Sequence, residues 1–368
     1  MSRSSFALFL TAVGASLFAW AVLSESPAAA QDTESPKITT VDGVKLNATF
    51  YPSPKKNSPV VIMLHPVGPD KSSKGADWKR LAHTLQKSGY AVMMFDFRGH
   101  GDSTEVDPQI FWKFAPNKGM VKAKDNDTIK VEDYIKTSNG AYLPILINDI
   151  AAVKAYLDRK NDEGVCNTAK TIVIGADGGA TLGAIWINSE WFRYRFTPNP
   201  MFPKVIKAGQ PADRPEGENI IAAIFLTPQP KLGSQSNFSL PNVLKIACKD
   251  QGMAAYFVHG KEDAIAKKYA QTLEDKLTVK NSKKHKYISK FPLETKLSGV
   301  QLLQNALGLE KALVGGLAEI VEERGNEWGK IDARENFYIW RFGPVGPTWA
   351  HIKGELNLNY ETYSRFMP

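Results

Sequence analysis

Cysteine is nearly absent from this chain, with Cys166 and Cys248 the two present. A disulfide framework is thereby excluded. Neither cysteine has the close cysteine or histidine neighbours of a metal site. One bridge between them and two independent buried thiols both stay open. Histidine is scarce as well: the six are His65, His83, His100, His259, His285 and His351, with none between positions 286 and 350. Beyond the first thirty residues no apolar run approaches spanning length, and there is no internal repeat or low-complexity tract. The formal charge of +8 is spread along the chain, with small clusters at Lys55-Lys56 and Lys283-Lys284-His285-Lys286. No aromatic-interleaved basic motif accompanies it, so nucleic acid is not an expected partner and the charge reads as solvated faces. Nothing points to a cofactor or a metal.

What is present begins with an export signature. Arg3 supplies a positive start, Phe6 to Leu23 form an uncharged apolar run, and Ala28-Ala29-Ala30 gives a cleavage site before Gln31. Residues 1–30 therefore read as a signal peptide. The expectation is a secreted or periplasmic protein with no stable membrane span after cleavage, or a membrane-anchored one if the segment is uncleaved.

The rest alternates strand and helix signals. Ile38–Val41 and Val44–Phe50 are β-rich and joined by Asp42-Gly43, a hairpin signal. Val60–Leu64 is continuously apolar, as for a strand buried on both faces. Trp78, Leu81, Ala82 and Leu85 repeat at helical spacing, with Gly89 as a stop. Strands are predicted again at Tyr90–Phe95, Thr171–Ile174, Ile220–Leu226, Ala254–Val258 and Tyr287–Phe291. Helices are predicted around Leu146–Leu157, over Ala180–Asn188 and Ala264–Leu277, and from Leu309 through Ile320 to Gly325. An N-terminal β-hairpin followed by such units implies an α/β fold, a mostly parallel central sheet with helices on both faces. It occupies residues 31–325, with insertions at 107–142 and 191–219. Residues 326–368 form an aromatic tail containing the β-like run Phe337–Phe342.

Four motifs close strands in order: His65-Pro66-Val67-Gly68, Asp96-Phe97-Arg98-Gly99-His100-Gly101-Asp102-Ser103, Gly175-Ala176-Asp177-Gly178-Gly179, and Gly260-Lys261-Glu262-Asp263. Together they resemble the α/β-hydrolase superfamily, in particular its dienelactone-hydrolase-like and serine-peptidase-like members, over roughly residues 36–325. The resemblance implies roles. His65, Pro66, Val67 and Gly68 would form the loop whose amides help build an oxyanion hole. Gly175 and Gly179 would be the glycines of a nucleophile elbow, and Asp263 the acid that orients the base. The nucleophile position, however, holds Asp177 instead of serine. The place expected for the base histidine, in the loop Thr295–Val300, holds Ser298. Serine cannot act as a general base near neutral pH.

Two readings of Asp177 follow. As in haloalkane dehalogenases and epoxide hydrolases, the aspartate would be a nucleophile forming a covalent ester. Those families usually continue with Trp-Gly and carry a cap domain. Here Gly178-Gly179 follows, and the stretch from Leu226 to Cys248 is too short for a cap. The alternative is that Asp177 replaced serine after catalysis was lost and accepts backbone hydrogen bonds at the helix start. Three functions are expected in this order: a non-catalytic hydrolase-like protein that binds a small-molecule ligand at the carboxyl ends of the strands, or a partner; an atypical hydrolase of ester, amide, epoxide or carbon–halogen bonds with Asp177 as nucleophile; and a cell-envelope structural or interaction protein. Among the other histidines, His65 and His100 are expected to shape loops, His83 to lie on the surface, and His285 to sit at the wrong end of the sheet. Ser103 is expected to be structural. His351 is the least constrained.

Overall fold

The computed structural model describes residues 33–123, 126–136, 142–191, 215–232, 239–304, 307–325, 328–331, 336–343 and 346–353, the last two as backbone only. The hairpin forms as its Asp-Gly turn predicts: β1 (Lys37–Thr39) pairs antiparallel with β2 (Lys45–Tyr51), Thr39 opposite Lys45. β3 (Ser58–Leu64) is next, then α1 (Ala76–Lys87) and β4 (Ala91–Phe95). The first insertion contributes three short helices, α2 (Pro108–Phe111), α3 (Ala115–Met120) and α4 (Glu132–Ile135). The rhythm resumes with α5 (Ile147–Asp162), β5 (Cys166–Ala176), α6 (Gly178–Trp191) and β6 (Ile220–Leu226). Then come α7 (Leu240–Val243), a π-turn over Lys245–Asp250, β7 (Ala254–Gly260), α8 (Ala264–Leu277), β8 (Ile288–Leu293) and α9 (Leu309–Glu323). β9 (Asn336–Gly343) and β10 (Gly346–Lys353) pair as a separate hairpin in the tail.

The sheet order is β1-β2-β4-β3-β5-β6-β7-β8, parallel from β4 to β8, with β2 antiparallel to β4. This is the sheet that the α/β-hydrolase resemblance implies. Its central strands are apolar throughout because both faces are covered. In β3, Val60, Ile62 and Leu64 enter one core, with α5, α6 and α8 above them. Val61 and Met63 enter the other, beneath α1 and α9. Strand periodicity of two thus meets two helical layers at once.

The first insertion is bolted to this frame by charge. Arg98 is wholly buried and donates from Nη1 and Nη2 to Asp42 (2.6 and 3.0 Å) and from Nε to Asp149 (2.8 Å). Asn117, from α3, donates to Asp42 at 3.0 Å, and the Tyr142 hydroxyl donates to Asn117 at 2.7 Å. Burial would raise the Asp42 carboxyl, but the charge and hydrogen bonds of Arg98 outweigh it and hold it below the ordinary range. At Asp149 burial prevails over the same guanidinium and its carboxyl is held above that range. Cys166 and Cys248 are both buried free thiols, which closes the alternative left open above.

Candidate functional site

Asp177 occupies the turn between β5 and α6, in the left-handed region at φ 49°. That conformation is uncommon for a residue with a side chain and is tolerated best by Asn and Asp. The flanking glycines make it sterically feasible. A Cβ at Gly175 would stand 2.6 Å from the Ala180 Cα, and one at Gly179 would collide with the His65 carbonyl oxygen. The turn is held by the Asp177 amide donating to Leu226 O (3.0 Å) and by Thr181 Oγ1 donating to Gln229 O (2.6 Å). A tight strand-to-helix elbow is therefore present, with a positive-φ residue between two glycines that leave no room for a side chain.

The loop after β3 is locked by two imidazoles that serve as rigid spacers. His65 Nε2 accepts from the Phe97 amide (3.0 Å), while its Nδ1 faces Pro66 O at 2.7 Å. His100 Nε2 accepts from the Gly68 amide (3.1 Å), while its Nδ1 faces Arg98 O at 2.9 Å. These contacts require neutral rings with the proton on Nδ1. Burial, with His100 alongside, holds His65 down at about 3; burial also lowers His100. Gly178 lies against the Val67 side chain, a Cβ on it coming within 3.2 Å of Val67 Cβ. Among the described residues neither the Val67 nor the Gly178 amide donates to an acceptor. In α/β-hydrolases an oxyanion hole is built from the amide after the nucleophile and one in the loop after the third strand.

The Asp177 carboxylate points at the loop after β8. A side chain at Gly299 would collide with it, so Ser298-Gly299 lies immediately beside the elbow. Ser298 is half-buried and precedes the turn Gly299–Leu303 without capping it through its side chain. The Gly299 amide instead donates to Thr227 Oγ1 at 3.1 Å. Thr227, at φ 49°, follows β6 and completes this floor. It went unnoticed in the sequence, because a β-branched residue gives no signal for a positive φ. Lys71, the charge that bears on Asp177, was also missed, since one exposed lysine in a loop carries no pattern.

One expectation is corrected here. Among the described residues nothing donates to the Asp177 carboxylate, so it does not cap α6. Burial pushes it up to about 6, against the opposing pull of Lys71. Asp263, by contrast, does act as a cap: its Oδ1 accepts from the Ala266 amide at the head of α8 (2.9 Å).

No imidazole with a described side chain reaches Asp177 or Asp263. Besides His65 and His100, His259 sets Nδ1 against Gly260 O at 2.9 Å and buries Nε2 without a partner. His285 spans the Val279 amide and Lys249 O, both at 2.8 Å, at the opposite end of the sheet. His83 is exposed on α1 against Tyr51. The His351 backbone lies in β10, paired with Tyr338, and its side chain is outside the described residues. Ser103 is structural, as expected: buried, it donates to Asp96 O (2.7 Å) and accepts from the Asn47 amide (2.8 Å). No group of three or more metal-binding side chains occurs among the described residues.

No protein-family model and no curated protein matches the chain. Among solved structures it is similar to an esterase of Pyrococcus furiosus at 16% identity, covering 78% of this chain and 91% of the other with a TM-score of 0.49. It is similar to a dienelactone hydrolase of Anabaena variabilis at 12% identity, covering 79% and 97%, TM-score 0.47. It is similar to a lidless α/β serine hydrolase of Xanthomonas campestris at 14% identity, covering 81% and 98%, TM-score 0.43. On the strand order of its own sheet, the hairpin at its head and the glycine-flanked elbow between β5 and α6, the chain has the α/β-hydrolase fold.

Proposed function

We propose that this chain is an exported α/β-hydrolase-fold protein that no longer turns over substrate and uses the space at the carboxyl ends of its strands to bind a small-molecule ligand or a partner. The observation that carries the reading is the missing base. Both the acyl-enzyme and the ester-enzyme routes need an imidazole beside the elbow to activate the nucleophile or water. Ser298-Gly299 stands there instead; His65, His100 and His285 have both ring nitrogens engaged, and His259, whose Nε2 has no partner, makes no hydrogen bond to Asp177 or Asp263. Export is supported by Arg3, the apolar run Phe6 to Leu23 and the Ala28-Ala29-Ala30 site.

A second reading is kept because of the carboxylate itself. Asp177 sits on an intact elbow beside two unengaged amides, and no hydrogen bond draws on its lone pairs. As a nucleophile it would displace halide from an alkyl halide or open an epoxide to leave an ester bond to the chain, or attack the acyl carbon of an ester or amide to leave an anhydride and release the alcohol or amine. Without a base that ester would persist; with His351 supplying the imidazole it would hydrolyse. The test is incubation of the wild type and Asp177→Ala with an aryl ester, an aryl amide, an epoxide and a haloalkane, following release kinetics and intact mass. Equal background rates and unchanged mass in both are expected. Turnover lost in Asp177→Ala would replace the leading reading with the hydrolase. One covalent adduct per chain without turnover would establish a nucleophile stranded without its base.

A further inference from the structure

The corner of the molecule at the starting ends of β7 and β8, opposite the strand ends that carry the elbow, is strongly basic. Three segments meet there: the π-turn Lys245–Asp250, the last turn of α8, and the loop 278–286. His285 binds them together. It is buried, bridges the Val279 amide to Lys249 O, and thereby clamps the loop onto the π-turn. Lys284 packs across Gly252 and donates to Asp250 O.

On this platform Lys245, Lys249, Lys276, Lys280, Lys283 and Lys284 are all exposed, and none is in an ion pair among the described residues. The neighbouring Lys286 shows the contrast, being paired with Glu319 and Glu323 at 2.8 and 3.0 Å. Three carboxylates, Asp250, Glu274 and Asp275, share the three segments with the six lysines, and Glu274 is paired with Lys290 at 3.3 Å. Among the lysines Val279 stands 51% exposed, one of four large hydrophobics the described surface presents.

We propose that this corner docks the protein on an anionic lipid surface. Six ammonium groups outside any ion pair, on a platform clamped by His285, match a field of phosphate headgroups, each contributing about five-fold to partitioning. Lysine suits a diffuse array of phosphates, whereas a single bound phosphate favours arginine's fork. The exposed valine selects lipid over other polyanions: it gains by entering the interfacial zone and gains nothing on a nucleic acid or a polysaccharide. The platform also lacks the aromatic side chains on which bases would stack. Because the strands run parallel from β4 to β8, docking by this corner turns the elbow away from the membrane.

The test is cosedimentation of the full-length chain with phosphatidylcholine vesicles and with vesicles of equal parts phosphatidylcholine and phosphatidylglycerol. The readout is the excess of binding to the anionic vesicles compared between wild type and variants, so the N-terminal segment, identical in all of them, cancels. At low salt we expect an excess of ten-fold or more, abolished near molar salt where screening falls to a few Å. The triple variant Lys280→Gln, Lys283→Gln, Lys284→Gln should lose most of it. Val279→Asp should reduce it about five-fold, and Lys55→Gln with Lys56→Gln, elsewhere on the same end, should leave it unchanged. No anionic excess in the wild type overturns the proposal, and the salt titration of the wild type reads this without any variant. An excess that survives the triple substitution overturns it too. Binding of a DNA duplex with the same lysine dependence, and insensitivity of vesicle binding to Val279→Asp, would replace lipid with a polyanion.

Discussion

At residue scale the main feature is a carboxylate with no partner. Asp177 lies in a left-handed turn, largely buried, with no donor on its oxygens, and burial lifts its pKa from 3.8 to about 6. Between those values the folded chain holds more of the proton than the unfolded one does. Stability is therefore greatest below the lower value and falls as the pH rises through the upper one. The cost at neutral pH is on the order of 3 kcal/mol. Asp177→Asn removes the charge and keeps a side chain that accepts a positive φ. Urea unfolding at pH 8 should show the variant more stable than the wild type by about 1–2 kcal/mol, with the gap closing near pH 4. A loss of stability at pH 8 would mean that the carboxylate has found a donor after all. Asp263 has a donor. It holds the Ala266 amide, so Asp263→Ala should cost about 1 kcal/mol in the same assay and change no reaction rate.

At the scale of elements, glycine marks where strand and helix must touch. A methyl at Gly179 would enter the His65 and Leu64 carbonyl oxygens, which belong to the end of β3 and cannot withdraw. Gly179→Ala should cost about 3 kcal/mol, since backbone gives way less readily than a side chain. Gly315 is the counter-example: it lies exposed within α9 with nothing within 4 Å of a Cβ. Gly315→Ala should raise stability by about 1 kcal/mol through helix propensity alone. Comparing the two unfolding curves checks both statements. The elements themselves were largely legible in the sequence. The turn at Asp42-Gly43, the unbroken apolar run of β3 and the Leu309, Leu313, Leu317 stripe each announced the element that formed. The sequence predicts β5 only over Thr171–Ile174, because Cys166–Lys170 is mostly polar. Yet its Asn167, Thr168 and Lys170 are buried, Thr168 donating to Asp158 and its amide to Asn161. Partners on α5, distant in neither space nor chain, satisfy what the composition alone marks as exposed.

At the scale of the whole molecule, the first insertion is anchored through Asn117 and Tyr142 to one buried cation between two carboxylates. Arg98→Met would leave Asp42 and Asp149 buried without it. A loss of about 3–5 kcal/mol is expected, smaller at acidic pH where the carboxyls take up protons. Limited proteolysis should then open residues 107–136 before the rest of the chain. Unchanged cutting there would show that the apolar contacts of Phe111 and Tyr134 hold the insertion alone.

The sequence by itself determined the order of strands and helices, the elbow glycines and the identities at the three positions that matter, Asp177, Asp263 and Ser298. These follow from period, turn chemistry and motif order, which are local. Only the tertiary structure decided what those side chains do. It showed that Asp177 faces the Ser298-Gly299 loop without a donor while Asp263 spends its carboxylate on α8, that His65 and His100 hold loops, and that scattered lysines from three segments converge on one corner. A hydrogen bond depends on distances of a few Å between groups far apart along the chain, and no local pattern encodes that separation.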